Sequence, residues 1–465
     1  MNVLHVESSL NWGGQEERTV CEARWLNRNG HRCWVACNPA AEIRRRAGSM
    51  ALPVNMSRSL APSATVRLAR VCRSHSVDVL HVHSPKDAWI CVPLHLLGIP
   101  VVRSRQITNA VKARWSRSIV YRRGCSQLIT TADCIRRDLV ARNGVAPEKI
   151  TVIGEGVDLD RFHPGIDGRG FRREIGIRDG KILFGLVAMI RPEKGHLTFI
   201  DAARITHQRH ASARFVIVGE GTGARELELN LRCELERRQG GLRSGPVIMA
   251  GFREDIPEVI AALDVLVVPS HAEAQSLVIP QAFASGKPVI ASAVGGIPEL
   301  VENERNGLLV RPGDAPALAS AMERLATNPQ LRTRLAEAGL RHARTHLDFG
   351  NRMAETISVY RKTTRPPAAR RRDRDTVAEH ARREMRRAFV LPLRQAGFVA
   401  LAALFVLLIR PSDQNGLGSG PVVARPARRW SQVWTESRIS TEDSNTPDPT
   451  EIPPAIDDDD DDVLT

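Results

Sequence analysis

The sequence predicts an α/β protein of two Rossmann-like domains facing a cleft, on three observations. Apolar runs of four to eight residues, rich in Val, Ile and Leu, alternate with longer amphipathic stretches, the pattern of strands buried on both faces and joined by crossover helices. The runs form two groups separated by residues 152–181, which are rich in Gly and Asp and poor in periodic pattern; such a stretch reads as an interdomain connection followed by a short helix. The 465 residues, 42% of them hydrophobic, exceed the roughly 250 to 300 residues beyond which a single core stops growing.

The first group opens with VLHVES, a strand almost from the first residue, which leaves no room for a signal peptide. CWVACNP, VDVLHVH and PVVRSR follow as strands of the same sheet. Past the connection come ILFGLVAM, RFVIVGEG, PVIMAGF, DVLVVPS and KPVIAS, the strands of the second domain. The regular pattern ends near Thr364. The expected division is residues 1–165 and 175–345 for the two domains, and 346–364 for a helix returning toward the first. Residues 365–409 then form a basic segment with a possible anchor, and 410–465 an acidic-ended tail whose Pro, Ser and Asp content predicts disorder.

Charge and cysteines narrow the partners. A net charge of +14 favours an anionic partner such as a nucleotide phosphate, a lipid surface or a nucleic acid. Nucleic acid ranks last, because no base-reading module accompanies the basic residues. The eight cysteines show no CxxC pair, and Cys33 and Cys37 read as packing residues, so reduced thiols in a cytoplasmic protein are expected.

The stretch SHAEAQSLVIPQAFASGKPVIAS carries the most chemistry. DVLVVPS is a strand, SLVIPQAFASG the following helix, and the loop between them lies at the strand's carboxyl end, where ligands bind in such sheets. With Ser276 as cap, Leu277, Val278 and Ile279 would offer unpaired amides to a phosphate, and Pro280 would break no helical bond. Glu273 before the helix and Gln281 within it could each take a hydroxyl. Spacing alone also fits a helix cap with one tolerated polar neighbour.

Here the chain resembles glycosyltransferase family 4, retaining enzymes of the GT-B fold, whose signature is a Glu, seven residues and a second Glu opening a helix in this way. The resemblance runs over roughly residues 1–364 and rests on further motifs in order: LNWGGQEER, DVLHVHSPKDA, TADCIRRDLVARNGVAPEKITVIGEGVDLDRFHP, VAMIRPEKGHLTFIDA, VIMAGFREDIPEVIAALDVLVVPS and GGIPELVENERNGLLVRPGD. It implies that Gly13 and Gly14 lie under a donor diphosphate, and that His83 lies beside the anomeric centre or the sugar's 6-position. Arg191 and Lys194 would neutralise the leaving phosphate, joined by the amides at Ser276 and Leu277. Glu273 would hold sugar hydroxyls and Gln281 the ribose. Three positions depart from the family pattern: Glu155 stands where Asn is commoner, Met189 where the phosphate Arg usually lies, and Gln281 replaces the second Glu.

The reaction so implied is retaining transfer from a nucleotide-sugar to a glycan or lipid-linked acceptor, in bacterial envelope polysaccharide or lipopolysaccharide assembly, with no metal and no other cofactor. A transferase with a soluble acceptor, and a catalytically weakened glycan-binding or scaffold protein, are the alternatives. The DxD at Asp373 to Asp375 lies in an arginine-rich segment, the terminal aspartates read as a solvated tail, and VGEGTG reads as a turn after a strand. Two features suggest a membrane surface. Residues 100–124 interleave Arg with Trp115 and Tyr121, which fits anionic lipid, a phosphorylated acceptor or a solvated basic helix. Residues 396–409, preceded by nine arginines against four acids, are apolar. As a helix they reach about 21 Å, short of the roughly 30 Å hydrocarbon core, so a marginal span, an interfacial anchor and a buried helix stay open. Association with the inner face of the cytoplasmic membrane is expected.

Overall fold

The computed structural model describes residues 1–57, 61–108, 111, 120–221, 225–239 and 245–364. The Val- and Ile-rich runs form two sheets whose paired strands are all parallel. The first holds β1 (Asn2–Glu7), β2 (Arg32–Cys37), β3 (Ala51–Pro53), β4 (Val79–Val82), β5 (Val101–Arg105), β6 (Gln127–Thr130) and β7 (Ile150–Val152), ordered β3-β2-β1-β4-β5-β6-β7. The second holds β8 (Ile182–Val187), β9 (Ala213–Val218), β10 (Val247–Gly251), β11 (Val265–Val268), β12 (Val289–Ser292) and β13 (Leu308–Val310), ordered β10-β9-β8-β11-β12-β13. This is the α/β GT-B architecture that the sequence predicts. Strands β3, β6, β7 and β13 are additions, each of three or four residues.

In both sheets the strand order reverses direction once, between β1 and β4 and between β8 and β11. Loops leaving the carboxyl ends of two strands diverge at such a point and open a crevice. The loops concerned are those carrying Gly13, His83, Lys194 and Glu273. Topology therefore sets these four positions at the two crevices before any side chain is considered.

Apolar side chains cover each sheet on both faces. One cluster of the first domain gathers Leu4, Val6, Leu80, Val82 and Leu128, the other Val3, Val35, Val79, Val102 and Ile129. The helix Phe349–Thr363 belongs to the latter through Met353, Ile357, Val359 and Tyr360, although it follows the second domain in sequence. Asp348 caps it by accepting from the Asn351 amide at 2.9 Å, and the Phe349 amide donates to the Val157 carbonyl at 3.0 Å. The chain thus crosses between domains twice. On the second domain's side, Arg172 of the short helix Arg169–Glu174 donates to the carbonyls of Ala262 and Lys181 and to Asp264.

The basic stretch 100–124 differs in part from the surface expected of it: Arg122 and Arg123 are exposed, but the arginines of β5 are not. Arg103 and Arg105 are buried in β5, with the Arg103 guanidinium 3.8 Å from the centre of the Tyr121 ring and Arg105 Nη1 donating to the Tyr121 hydroxyl at 2.7 Å. Cation–π and hydrogen-bond contacts keep these groups inside, so they present no charge to a lipid surface. Trp115 lies outside the described residues, as do the segments 365–409 and 410–465 with their apolar run, DxD and terminal aspartates. Among the described residues no helix is long and apolar enough to cross a membrane. All eight cysteines are free thiols.

Candidate active site

On the first domain, Gly13 is the extended residue before the helix Gly14–Arg28, and no side chain caps that helix. A Cβ on Gly13 would lie 3.0 Å from Met189 Cε of the second domain, whereas one on Gly14 would meet nothing. The two domains touch here through a glycine. The floor is acidic: Glu7 is fully buried, accepts from the Ser9 amide at 3.0 Å and from Gln15 Nε2 at 2.7 Å, and is held well above the usual carboxylate range by burial and by Asp87 and Glu16.

Histidines occupy the sheet beside it. His5 of β1 pairs in register with His81 of β4, and His83 follows on the same face. His81 is engaged on both sides, Nδ1 with the Tyr360 hydroxyl and Nε2 with Ser104 Oγ, each at 2.7 Å. His83 Nε2 lies 2.8 Å from His5 Nδ1. Burial, then His5 and Arg18, hold the His83 pKa well below the ordinary imidazole value, so it is neutral. Its Nδ1 is buried without a hydrogen-bond partner among the described residues.

Arg18 ties this cluster to the rest of the cleft. Its Nε binds Glu22 at 2.7 Å and its Nη1 binds Glu155 at 3.0 Å, all three groups being buried. Glu155, the departure noted in the sequence, is thereby a paired carboxylate. Burial raises its pKa against the pull of Arg18, with Glu273 adding in the same direction. The Glu155 amide donates to Gln275 Oε1 at 2.8 Å, which fastens the segment after β7 to the loop after β11.

The second domain supplies the cations. Lys194 ends the turn Pro192–Lys194 after β8, and its Nζ lies 2.6 Å from Glu273 Oε2, a largely shielded ion pair. Gly195, at φ +71°, must be glycine because a Cβ there would fall 2.0 Å from the Pro269 carbonyl oxygen. The amide of His271 donates to the Glu193 carbonyl at 2.7 Å, so the loops of Lys194 and Glu273 are laced together. Arg191 is partly exposed, with Nη1 3.8 Å from Glu193. His196, the next helix's first residue, is buried with Nε2 unpartnered among the described residues, and burial lowers its pKa to about 4.

One expectation is corrected. The helix begins later than the sequence suggests, at Val278–Ala284, with Leu277 as its N-cap in helical geometry and no side-chain cap. Ser276 does not cap it; its carbonyl accepts from the Ile279 amide at 3.2 Å. That amide is therefore occupied. Pro280 remains within the first turn, where its missing N–H costs no helical bond. Gln281 is buried and its Oε1 has no partner among the described residues, an acceptor left open in a place where unpaired polar atoms are rare.

His5, Arg18 and Gln275 were missed in the sequence. The i, i+4 spacing of Arg18 and Glu22 on a helix that must cover a sheet, and the shared strand face of His5 and His83, were the available signals.

Comparisons with known proteins bear on the family and the fold. Residues 12–161 match the model described as Glycosyltransferase Family 4, and residues 181–328 the model described as Glycosyl transferases group 1. The UDP-Gal:alpha-D-GlcNAc-diphosphoundecaprenol alpha-1,3-galactosyltransferase of Escherichia coli is 29% identical over 282 residues, covering 57% of this chain and 70% of that one. A D-inositol 3-phosphate glycosyltransferase of Corynebacterium aurimucosum is 30% identical, covering 58% and 69%. The crystal structure of Anabaena HepE in complex with UDP and glucose shares the fold, with a TM-score of 0.66 at 22% identity over 77% of this chain and 99% of that one.

Proposed function

The chain belongs to the family 4, group 1 glycosyltransferases and is a transferase, and we propose that it moves a sugar from a nucleotide-sugar to a lipid-linked glycan acceptor with retention at the anomeric carbon. One observation carries this reading: at the crevice of the second sheet a cation, Lys194, is held 2.6 Å from Glu273, and the helix that follows Glu273 carries on Gln281 a buried acceptor unpaired among the described residues. A donor with a diphosphate between two polyols suits that set. Its phosphate would draw Lys194 away from Glu273, which frees the carboxylate to accept from sugar hydroxyls, while Gln281 Oε1 accepts from the ribose.

In the reaction the bond from the anomeric carbon to the diphosphate oxygen breaks and the bond to the acceptor oxygen forms on the same face. The leaving phosphate takes the acceptor's proton. Charge develops on the leaving group, and Lys194 and Arg191 would stabilise it with the amides beside Gly14. The sugar passes through an oxocarbenium-like state, beside which His83 would stand as a neutral group. Because two side-chain cations serve the phosphate, the step requires no metal and no further cofactor. The undecaprenol-linked acceptor named for the Escherichia coli relative supports a lipid acceptor. It also supports work at the inner face of the cytoplasmic membrane, in envelope polysaccharide or lipopolysaccharide assembly.

The test is release of nucleoside diphosphate from UDP-, GDP- and ADP-sugars by the full chain, with and without polyprenyl-diphosphate-linked sugar. One donor should be consumed in an acceptor-dependent way, and Lys194→Ala should lower turnover at least about 100-fold. Consumption with soluble inositol phosphate but not with the lipid acceptor would replace the acceptor class. An inverted anomer in the product would remove the retaining mechanism.

A further inference from the structure

Two loops of the second domain press on the loop between β1 and the helix Gly14–Arg28. One contact is Met189, after β8, against Gly13. The other runs through Arg46, the last arginine of the helix Glu42–Ala47. One face of its guanidinium lies over the Trp12 ring, with Cζ 4.4 Å from the ring centre. Its Nε donates to Glu42 Oε1 at 2.9 Å and its Nη2 to Glu254 Oε1 at 2.6 Å. Glu42 and Trp12 belong to the first domain, Glu254 to the segment after β10 in the second. A single planar group thus uses its face and two edges on three different elements, an arrangement that a lysine ammonium cannot copy.

Each half of this bridge is prepared on its own side. In the first domain, Glu42 and the indole hold the guanidinium without help from Glu254. In the second, Arg253 is turned toward its own domain: Nε and Nη2 bind Asp255 at 2.8 and 2.7 Å, and Nη1 binds Glu174 at 2.6 Å. That fixes the segment and leaves the next carboxylate, Glu254, to cross to Arg46. Partners placed in advance lose little side-chain freedom when they meet, which sets this pair apart from an ordinary exposed ion pair of small net worth. The neighbouring Arg45 adds only a longer contact to Glu254, at 3.7 Å. The Arg46 side chain is 21% exposed and that of Glu254 63%, so Glu254 can be changed without opening a core.

We propose that Arg46 is a positioning residue for donor binding: latched to Glu254 across the cleft, it holds Trp12, and with it Gly13 and Gly14, in the arrangement that receives the donor's diphosphate. This rests on the reading that those glycines serve the diphosphate. Glu254 contributes only while the domains are together, so its loss lowers the fraction of molecules ready to bind. Apparent affinity falls in proportion to that fraction, while the bound complex turns over as before.

The experiment uses the full chain with Glu254→Gln, Arg46→Ala, the two combined, and Trp12→Leu. Calorimetric titration with the preferred nucleotide-sugar should show binding about threefold to fivefold weaker for Glu254→Gln and about tenfold weaker for Arg46→Ala. The double variant should match Arg46→Ala alone, because its second change removes a bond already lost. Trp12→Leu should weaken binding as Arg46→Ala does. In turnover, Glu254→Gln should raise the donor KM by the same factor as its affinity loss, with kcat within about twofold. Near 1 M salt, where the screening length shrinks to about 3 Å, the gap between wild type and Glu254→Gln should close, as it must for an exposed pair. Additive losses in the double variant, wild-type affinity in Glu254→Gln or Trp12→Leu, or a gap that persists at high salt would overturn the proposal. Should the wild type bind no nucleotide-sugar, the donor reading of the cleft fails, while interdomain fluorescence transfer in ligand-free protein still decides the latch. There Glu254→Gln should populate more open molecules than wild type, and identical distributions would overturn it.

Discussion

Gln281 shows what one atom changes in this cleft. Its carbonyl oxygen is buried and unpartnered among the described residues, and an amide tolerates that far better than a carboxylate would. Gln281→Glu therefore pulls in two directions. Without ligand the variant carries an anion with no local partner, and denaturant unfolding should show a loss of about 1–3 kcal/mol. With donor bound, a charge-assisted bond to a ribose hydroxyl replaces a neutral one, and calorimetric affinity for the preferred nucleotide-sugar should rise about fivefold to tenfold. A variant that folds as well as the wild type and binds donor no better would mean that Gln281 does not face the ribose. Met189 has no such ambiguity: its methyl lies against Gly13, so this position contributes packing across the cleft where an arginine would contribute charge.

At the scale of elements, the helix Asp133–Asn143 cannot cap itself, because its N-cap residue is Ala132. The cap comes from the other domain. Glu299, in the short helix Ile297–Leu300, accepts from the amides of Asp133 at 2.9 Å and Cys134 at 3.2 Å. Gly295, at φ +52°, and Gly296 allow the approach, since a Cβ on Gly296 would meet Ala132 Cβ at 2.6 Å. A carboxylate at a helix N-terminus satisfies orphan amides and the helix dipole together. Because the bond exists only while the domains are together, Glu299→Ala should weaken the closed arrangement by about 1 kcal/mol. Scattering or interdomain fluorescence transfer should report a more open average, and a distribution unchanged from wild type would deny Glu299 this role. The long Val- and Ile-rich strands were legible in the sequence because burial on both faces writes a continuous apolar run. Strands β3, β6, β7 and β13 were not, since three or four residues such as ALP or ITV carry no period. The loop positions of Lys194 and Glu273 followed from strand ends. The long-range pairs did not, because Arg18 and Glu155 are 137 residues apart and Asp133 and Glu299 are 166 apart. The false cap at Ser276 has a local cause: the helix starts one residue later, which makes Leu277 the N-cap, and a leucine side chain has no acceptor to offer an amide.

Across the whole molecule, buried titratable groups pull the acid stability in opposite directions. Burial lowers the pKa of His5 to about 3 and of His196 to about 4, and holds His81 and His83 well below the ordinary value of 6.5. Between the folded and unfolded values the unfolded chain binds more protons, so each histidine's stability is fully present above pH 6.5 and is lost as pH falls toward the folded value. Glu7, Asp87 and Glu155 have raised folded values, so in their window the folded chain binds more protons and stability falls as pH rises. The two sets overlap, and the wild-type curve shows only their difference. His196 isolates one contribution, because it lies in the second domain, away from the histidine and carboxylate cluster of the first. His196→Gln removes its proton, and between pH 4 and 6.5 the variant's stability should depend on pH less steeply than that of wild type. The difference in slope should approach one proton, about 1.4 kcal/mol per pH unit, and accumulate to on the order of 3 kcal/mol. Urea unfolding at a series of pH values measures both curves. Parallel curves would mean that His196 titrates in the folded chain as it does in the unfolded one, and that its burial is relieved by a partner beyond the described residues.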